Sequence, residues 1–258
     1  MGAIVMFIHG AWLTPRAWDR FAQRYAACGY TCLAPPWPLL EDAPEQLRAA
    51  PPAQLGSLGI ARIVAHYQAL IEALPHPPLL VGHCHGGLFV QMLLDRGLGS
   101  AGIAIAPVPP RGVLPGGAAL ARTLPLLLRG ANSVVALSPK QFARNAAQTL
   151  SAAQQKLEYQ RQVVPAPGRV LYESALGIGT RVDFGNDRRA PLLLIAGEND
   201  RTIPTSTIAA TFRRHQRSVA VSTFKCFPGR SHWLIGEAGW QEVADYSLEW
   251  AQSQTECF

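Results

Sequence analysis

Apolar positions along the chain alternate between two rhythms. Ala3-Ile4-Val5-Met6-Phe7-Ile8 is an unbroken apolar run ending at His9-Gly10. Such a run predicts a strand covered on both faces. Trp18, Phe21, Tyr25 and Cys28 then recur at three- and four-residue spacing. That spacing predicts a helix entered at Thr14-Pro15 and stopped by Gly29. A second strand is expected over 30–34, closed by Pro35-Pro36-Trp37-Pro38. Residues 41–56 read as a loop with a short helix, and 58–74 have helical periodicity. A strand over 77–81, a glycine-rich turn over 82–87, a helix over 88–98 and a strand over 102–108 follow. Strands alternating with helices predict an α/β fold, a mostly parallel sheet with helices on both faces.

From Pro109 to about Ala190 the rhythm fails. Leu- and Ala-rich helical pieces follow the opening Pro109-Pro110, and no convincing strand is visible. The alternation then resumes with a strand over 191–196, a helix over 207–214, a strand over 219–226 and a last helix over 240–250. The expected organisation is a core of residues 1–108 and 191–258, interrupted by a helical cap insertion, 109–190.

The sharpest chemical signal is Val81-Gly82-His83-Cys84-His85-Gly86-Gly87, set between a strand and a helix. A sharp strand-to-helix turn strains the backbone of its central residue. It also crowds the positions two before and two after, here Gly82 and Gly86. The Cys84 side chain would stand at the sheet edge and at a helix N-terminus, whose partial positive charge favours the thiolate. The bland alternative is a small buried hydrophobe in a glycine-rich loop.

The sequence resembles the α/β-hydrolase superfamily, and within it the small esterase and hydroxynitrile-lyase-like branch. His9-Gly10-Ala11-Trp12 is similar to the family's early His-Gly-Ala-Trp, and Gly82-His83-Cys84-His85-Gly86-Gly87 to its Gly-His-Ser-x-Gly-Gly elbow. Gly197-Glu198-Asn199-Asp200 matches its late Gly-x-x-Asp, and Ser231-His232-Trp233 its final histidine loop. The motifs come in the family order of nucleophile, acid and histidine. Two departures stand out: Cys84 replaces the usual serine, as in dienelactone hydrolases and some thioesterase domains, and Pro36 stands where an aspartate is common.

The resemblance implies a Cys84–His232–Asp200 triad, with Glu198 a weaker candidate for the acid. It also implies an oxyanion hole from the backbone N–H groups of Ala11 and His85. Trp12, Trp37 and Trp233 flank these loops and are candidate pocket walls or ordinary packing. His9 and His83 are expected to brace loops, His85 to line the pocket, and His66, His76 and His215 to lie at the surface.

Bulk properties narrow the class. The chain has 258 residues, 48% hydrophobic and 16% charged, a globular composition on the apolar side. The net charge of +6 is spread over scattered arginines. The nearest cluster, Arg213, Arg214 and Arg217, reads as a solvated helix face, so no nucleic-acid partner is expected. A basic surface favours acidic substrates or carrier proteins. No secretory signal follows Met1 and no apolar run is long enough to span a membrane. The five cysteines are an odd set without metal-ligand spacing, so a cytoplasmic protein with reduced thiols and no metal or organic cofactor is expected.

The expected reaction is cleavage of an ester, thioester or lactone through a covalent acyl-enzyme. The partner would be a small-molecule substrate with an apolar acyl group, free or carrier-linked. The same site could instead run non-hydrolytic acyl transfer, cyclisation or lyase chemistry. A non-catalytic binding protein on this fold is the third reading.

Overall fold

The computed structural model describes residues 3–114 and 130–255. Its main sheet has six strands in the order β2-β1-β3-β4-β7-β8. These are β1 (Ile4–Ile8), β2 (Thr31–Leu33), β3 (Leu79–His83), β4 (Ala101–Ile105), β7 (Leu192–Gly197) and β8 (Ser222–Phe227). Every ladder in it is parallel. Parallel strands need crossovers, and here helices supply them, which is why the central strands read as continuous apolar runs.

The period of two then divides each run between two cores. Val5 and Phe7 of β1, with Ile103 and Ile105 of β4, pack against Phe21 and Tyr25 of α1 (Asp19–Ala27). Met6 and Ile8 face the opposite layer, with Ile63 and Val64 of α3 (Ile60–Glu72) and Leu88 and Phe89 of α4 (His85–Asp95). A short helix, α2 (Pro44–Ala49), lies in the segment between β2 and α3. The amphipathic faces read from the sequence are thus the two faces of one sandwich.

Between β4 and β7 the chain contributes nothing to this sheet among the described residues. It forms α5 (Pro139–Asn145), α6 (Ala152–Gln162) and α7 (Gly168–Leu176). Ser138 and Ser151 cap α5 and α6, each accepting from the backbone N–H three residues on. The expectation of no strand there is corrected: β5 (Val134–Val135) and β6 (Ala166–Pro167) pair antiparallel. Two residues per strand are too few to leave a period in the sequence. The part of the cap reading at 115–129 lies outside the described residues.

Two further readings change. The helix expected from Leu88 begins at His85, directly after Cys84, because the glycines let it start inside the turn. His215, expected at the surface, is fully buried on α8 (Thr205–His215) and hydrogen-bonds Gln91 of α4 at 3.1 Å. A strongly basic last turn, Arg213 and Arg214, disguised a ring that points inward. The last helix, α9, spans Trp240–Thr255.

Candidate active site

In a parallel sheet all strands end on one rim, and that is where open α/β sheets place their sites. The loops after β1, β3, β7 and β8 carry Ala11, Cys84, Asp200 and His232 respectively.

The turn at Cys84 shows why its neighbours are glycine. Cys84 has φ +56° and ψ −117°, a left-handed backbone that ordinary residues avoid. A Cβ on Gly82 would lie 2.2 Å from the Gly86 carbonyl oxygen, and one on Gly86 2.0 Å from the Ile8 carbonyl oxygen. The neighbouring strand end is as tight: a Cβ on Gly10 would fall 2.8 Å from Cys84 Cβ. The Cys84 N–H is used in a bond to the Ile105 carbonyl at 3.0 Å, and its own carbonyl accepts from Gly87, Leu88 and Val108. The strained corner is therefore tied to β4 and to the first turn of α4.

His232 Nδ1 and Asp200 Oδ2 are 2.7 Å apart, with both side chains buried. Asp200 Oδ1 accepts from the backbone N–H groups of Thr202 and Ile203 at 2.7 and 2.8 Å. Those two donors aim the carboxylate at the ring. Burial lowers the His232 pKa, but the Asp200 carboxylate and the Cys84 sulfur outweigh it and raise it to about 10. Burial likewise raises Cys84, yet the charge of His232 and hydrogen bonds from His232 and His85 bring it down to about 6. Cys84 Sγ lies 3.6 Å from His85 Nδ1, so a second imidazole attends the sulfur. The arrangement favours a thiolate–imidazolium pair at neutral pH.

Two more histidines hold the frame. His9 donates from Nδ1 to the Gly10 carbonyl at 2.9 Å and accepts the Trp37 N–H at Nε2, 3.1 Å. Burial keeps its pKa at about 4, and so the ring neutral in this one tautomer. His83 Nε2 donates to the His232 carbonyl at 2.8 Å, joining the elbow strand to the histidine loop. Burial and the neighbouring His232 hold His83 well below the usual range.

A buried carboxylate that sequence reasoning passed over completes the loop. Glu237 accepts from the Ser231 backbone N–H at 3.1 Å, from Ser231 Oγ at 2.7 Å and from Thr149 Oγ1. Ser231 immediately precedes His232, and Thr149 belongs to the segment between β4 and β7. Glu237 sits in Gly236-Glu237-Ala238-Gly239, a pattern that carries no motif, so only the coordinates expose it.

Above Cys84 and His232 lies a cavity of about 440 Å³ lined by Cys84, His85, His232, Ala11, Trp12 and Trp233 among others. Phe142 of α5 and Leu171 of α7 cover it. Trp12 Nε1 is tied to the Val135 carbonyl at 2.9 Å. Trp37, suggested as a pocket wall, does not line this cavity: it is fully buried, stacked on His9 with ring centroids 5.0 Å apart. The N–H groups of Ala11 and His85 have no acceptor among the described residues, as an oxyanion hole requires of its donors. Glu198, the weaker acid candidate, instead receives the Gly229 N–H at 2.9 Å.

The doubly covered parallel sheet, the strained elbow and the late acid and histidine loops define a hydrolase-type α/β protein. A family model described as the alpha/beta hydrolase family matches residues 5–246, and the chain belongs to that family. No curated protein matches it in sequence. Among solved structures it is similar to a monoacylglycerol lipase from Paleococcus ferrophilus, at 20% identity and a TM-score of 0.68 over 98% of this chain and 97% of that one. A methylesterase from Arabidopsis aligns at 15% identity and a TM-score of 0.67, covering 97% and 99%. Polyneuridine aldehyde esterase aligns at 12% identity and a TM-score of 0.70, covering 97% and 100%. Identities this low speak to the fold. Among the described residues no helix is long and apolar enough to cross a membrane.

Proposed function

We propose that this protein is a cysteine-dependent acyl hydrolase that cleaves esters or thioesters of apolar acyl groups. The observation that carries the reading is one constellation: Cys84 at a strained helix N-terminus, flanked by imidazoles, with His232 held by Asp200 at 2.7 Å. The cavity above it is bounded largely by apolar side chains, which suits an acyl chain.

Cys84 thiolate attacks the acyl carbonyl, and the Ala11 and His85 N–H groups face the developing oxyanion. Protonated His232 gives its proton to the leaving alcohol or thiol as the acyl–oxygen or acyl–sulfur bond breaks. Neutral His232 then takes a proton from water, and the hydroxide formed attacks the thioester acyl-enzyme. Collapse releases the carboxylic acid and returns Cys84 as thiolate beside imidazolium. Asp200 fixes the ring tautomer. Residues 109–190 act as the cap that selects the acyl group, with 1–108 and 191–258 as the core that performs the chemistry.

The test is turnover of p-nitrophenyl octanoate with intact-mass detection of an octanoyl adduct on Cys84. A burst, steady turnover and loss of both in Cys84→Ala are expected. Wild-type turnover in Cys84→Ala would refute the role of Cys84. An adduct resolved only when an amine or alcohol is added would replace hydrolysis by acyl transfer. Ligand binding with neither adduct nor turnover would leave a binding protein.

A further inference from the structure

The cavity above Cys84 has permanent side-chain charge of one sign only. Among its described lining residues there is no aspartate or glutamate, and its permanent charge is Arg111, an exposed side chain on one wall. Helix α5 forms part of another wall. Gln141 and Asn145 of that helix line the catalytic cavity and also a second depression of about 290 Å³. The remaining walls of the depression are Lys140 and Arg144, both exposed.

Lys140 and Arg144 stand four residues apart, one turn of the helix, where like charges repel. Among the described residues neither has a carboxylate partner, although Arg20, Arg24, Arg48, Arg161, Arg169 and Arg230 each do. A third cation is brought alongside: Arg201 donates to the Arg144 carbonyl at 3.4 Å. Thr202 and Ile203, which follow it, line the catalytic cavity. The cationic depression thus abuts the cavity above Cys84, with Gln141 and Asn145 common to both linings, and among the described residues no acid lines either.

We infer that the α5 depression of Lys140 and Arg144, with Arg201, binds the phosphate-bearing end of a thioester whose acyl group occupies the cavity over Cys84. This rests on the acyl-hydrolase reading and names its substrate class. The apolar cavity takes the acyl chain. The leaving group extends past Gln141 and Asn145, and its phosphates meet the cations, which otherwise face water. A thioester suits a cysteine nucleophile because one thiolate displaces another: the Cys84–acyl bond forms as the acyl bond to the leaving sulfur breaks. His232 protonates the departing thiolate, and water then releases the acid as above.

The experiment compares kcat/KM for octanoyl-CoA and octanoyl-N-acetylcysteamine, which share acyl group and thioester but differ in phosphate. A preference for octanoyl-CoA of about tenfold or more is expected at low salt. It should collapse near about 0.5 M NaCl, where screening shortens to a few ångströms. Lys140→Gln/Arg144→Gln should lower the ratio of the two rates towards one, with the neutral thioester reporting that the fold is intact. Octanoyl-phosphopantetheine distinguishes the sources of phosphate. A rate equal to that of octanoyl-CoA assigns the single phosphate also borne by carrier-protein arms, and a lower one assigns the nucleotide phosphates. Equal rates for the charged and neutral thioesters at low salt, or a ratio unchanged in the double variant, would overturn the inference. Absence of turnover on every octanoyl donor, p-nitrophenyl octanoate included, would remove the acyl-hydrolase reading and this inference with it.

Discussion

The ionisation of Cys84 is the point at which sequence, geometry and chemistry meet, and it can be read directly. With its pKa lowered from 9.0 to about 6, the thiol is roughly nine-tenths thiolate at pH 7, against about one-hundredth for an unshifted thiol. The gain in rate is smaller than that ratio. Thiolate nucleophilicity falls with pKa at a slope of about 0.4–0.5, which removes roughly a factor of twenty. A net advantage of only about fivefold is left at pH 7, so the shape of the pH profile is the diagnostic quantity. We predict that the rate of Cys84 alkylation by iodoacetamide, followed by peptide mass spectrometry, rises through a midpoint near pH 6 and is flat up to pH 9. The sign follows from the depressed pKa: the reactive form is present above about 6 and is lost as pH falls through it. His232→Ala removes the largest group favouring the thiolate while the burial that opposes it remains. The midpoint should then move up by at least two pH units. A wild-type midpoint near 9, or a midpoint unmoved in His232→Ala, would refute the thiolate–imidazolium pair.

Three other variants probe the support around that pair. Asp200→Asn deprives His232 of its charged partner at 2.7 Å. It should lower kcat by at least about 10²-fold, with about 10⁴ the scale known for serine triads, and change KM little; steady-state kinetics on p-nitrophenyl octanoate decide it. Gly86→Ala places a Cβ 2.0 Å from the Ile8 carbonyl oxygen, backbone that cannot rotate away, and should cost at least about 2 kcal/mol in urea unfolding. Glu237→Ala strips the Ser231 N–H and hydroxyl of their buried acceptor and should cost about 1–3 kcal/mol. Because Ser231 adjoins His232, the same variant should shift the alkylation midpoint upward, which a purely structural loss of stability would not do.

The parts legible in the sequence are those with a local signature. Period and turn chemistry exposed the parallel α/β core, since each central strand is covered on both faces and helices such as α1 and α3 on one. The crowding at Gly82 was equally legible, because it meets Gly86 only four residues on, whereas Gly86 itself is closed in by the distant Ile8 carbonyl. The unread features are long-range or very short. Trp37 sits beside the site loops in sequence, yet it stacks on His9 from across the β1–β2 edge and turns away from the cavity. His215 looked solvated because its neighbours Arg213 and Arg214 are, whereas one step round the helix brings its ring to Gln91. Glu237 gains its importance from Thr149, a partner 88 positions away that no local pattern announces.

Backbone strain supplies an independent pointer to the same rim. Among the described residues four non-glycine residues have positive φ: Trp12, Leu39, Cys84 and Ala106. Three of them, Trp12, Cys84 and Ala106, follow the C-terminal ends of β1, β3 and β4, which are adjacent in the sheet. Conformations of this kind cost about 1–3 kcal/mol each and persist only where the surroundings enforce them. Here the enforcing bonds are visible: the Cys84 and Ala106 N–H groups reach Ile105 and Ile195, and the Trp12 carbonyl receives the Val164 N–H. Chains that break a local rule without a structural return are disfavoured, so strain gathered at one edge marks where geometry was kept for another reason. The return is the sulfur itself. Only the left-handed backbone at Cys84 turns the side chain up from the strand end while α4 begins at the next residue, so sulfur, helix N-terminus and imidazole share one small volume.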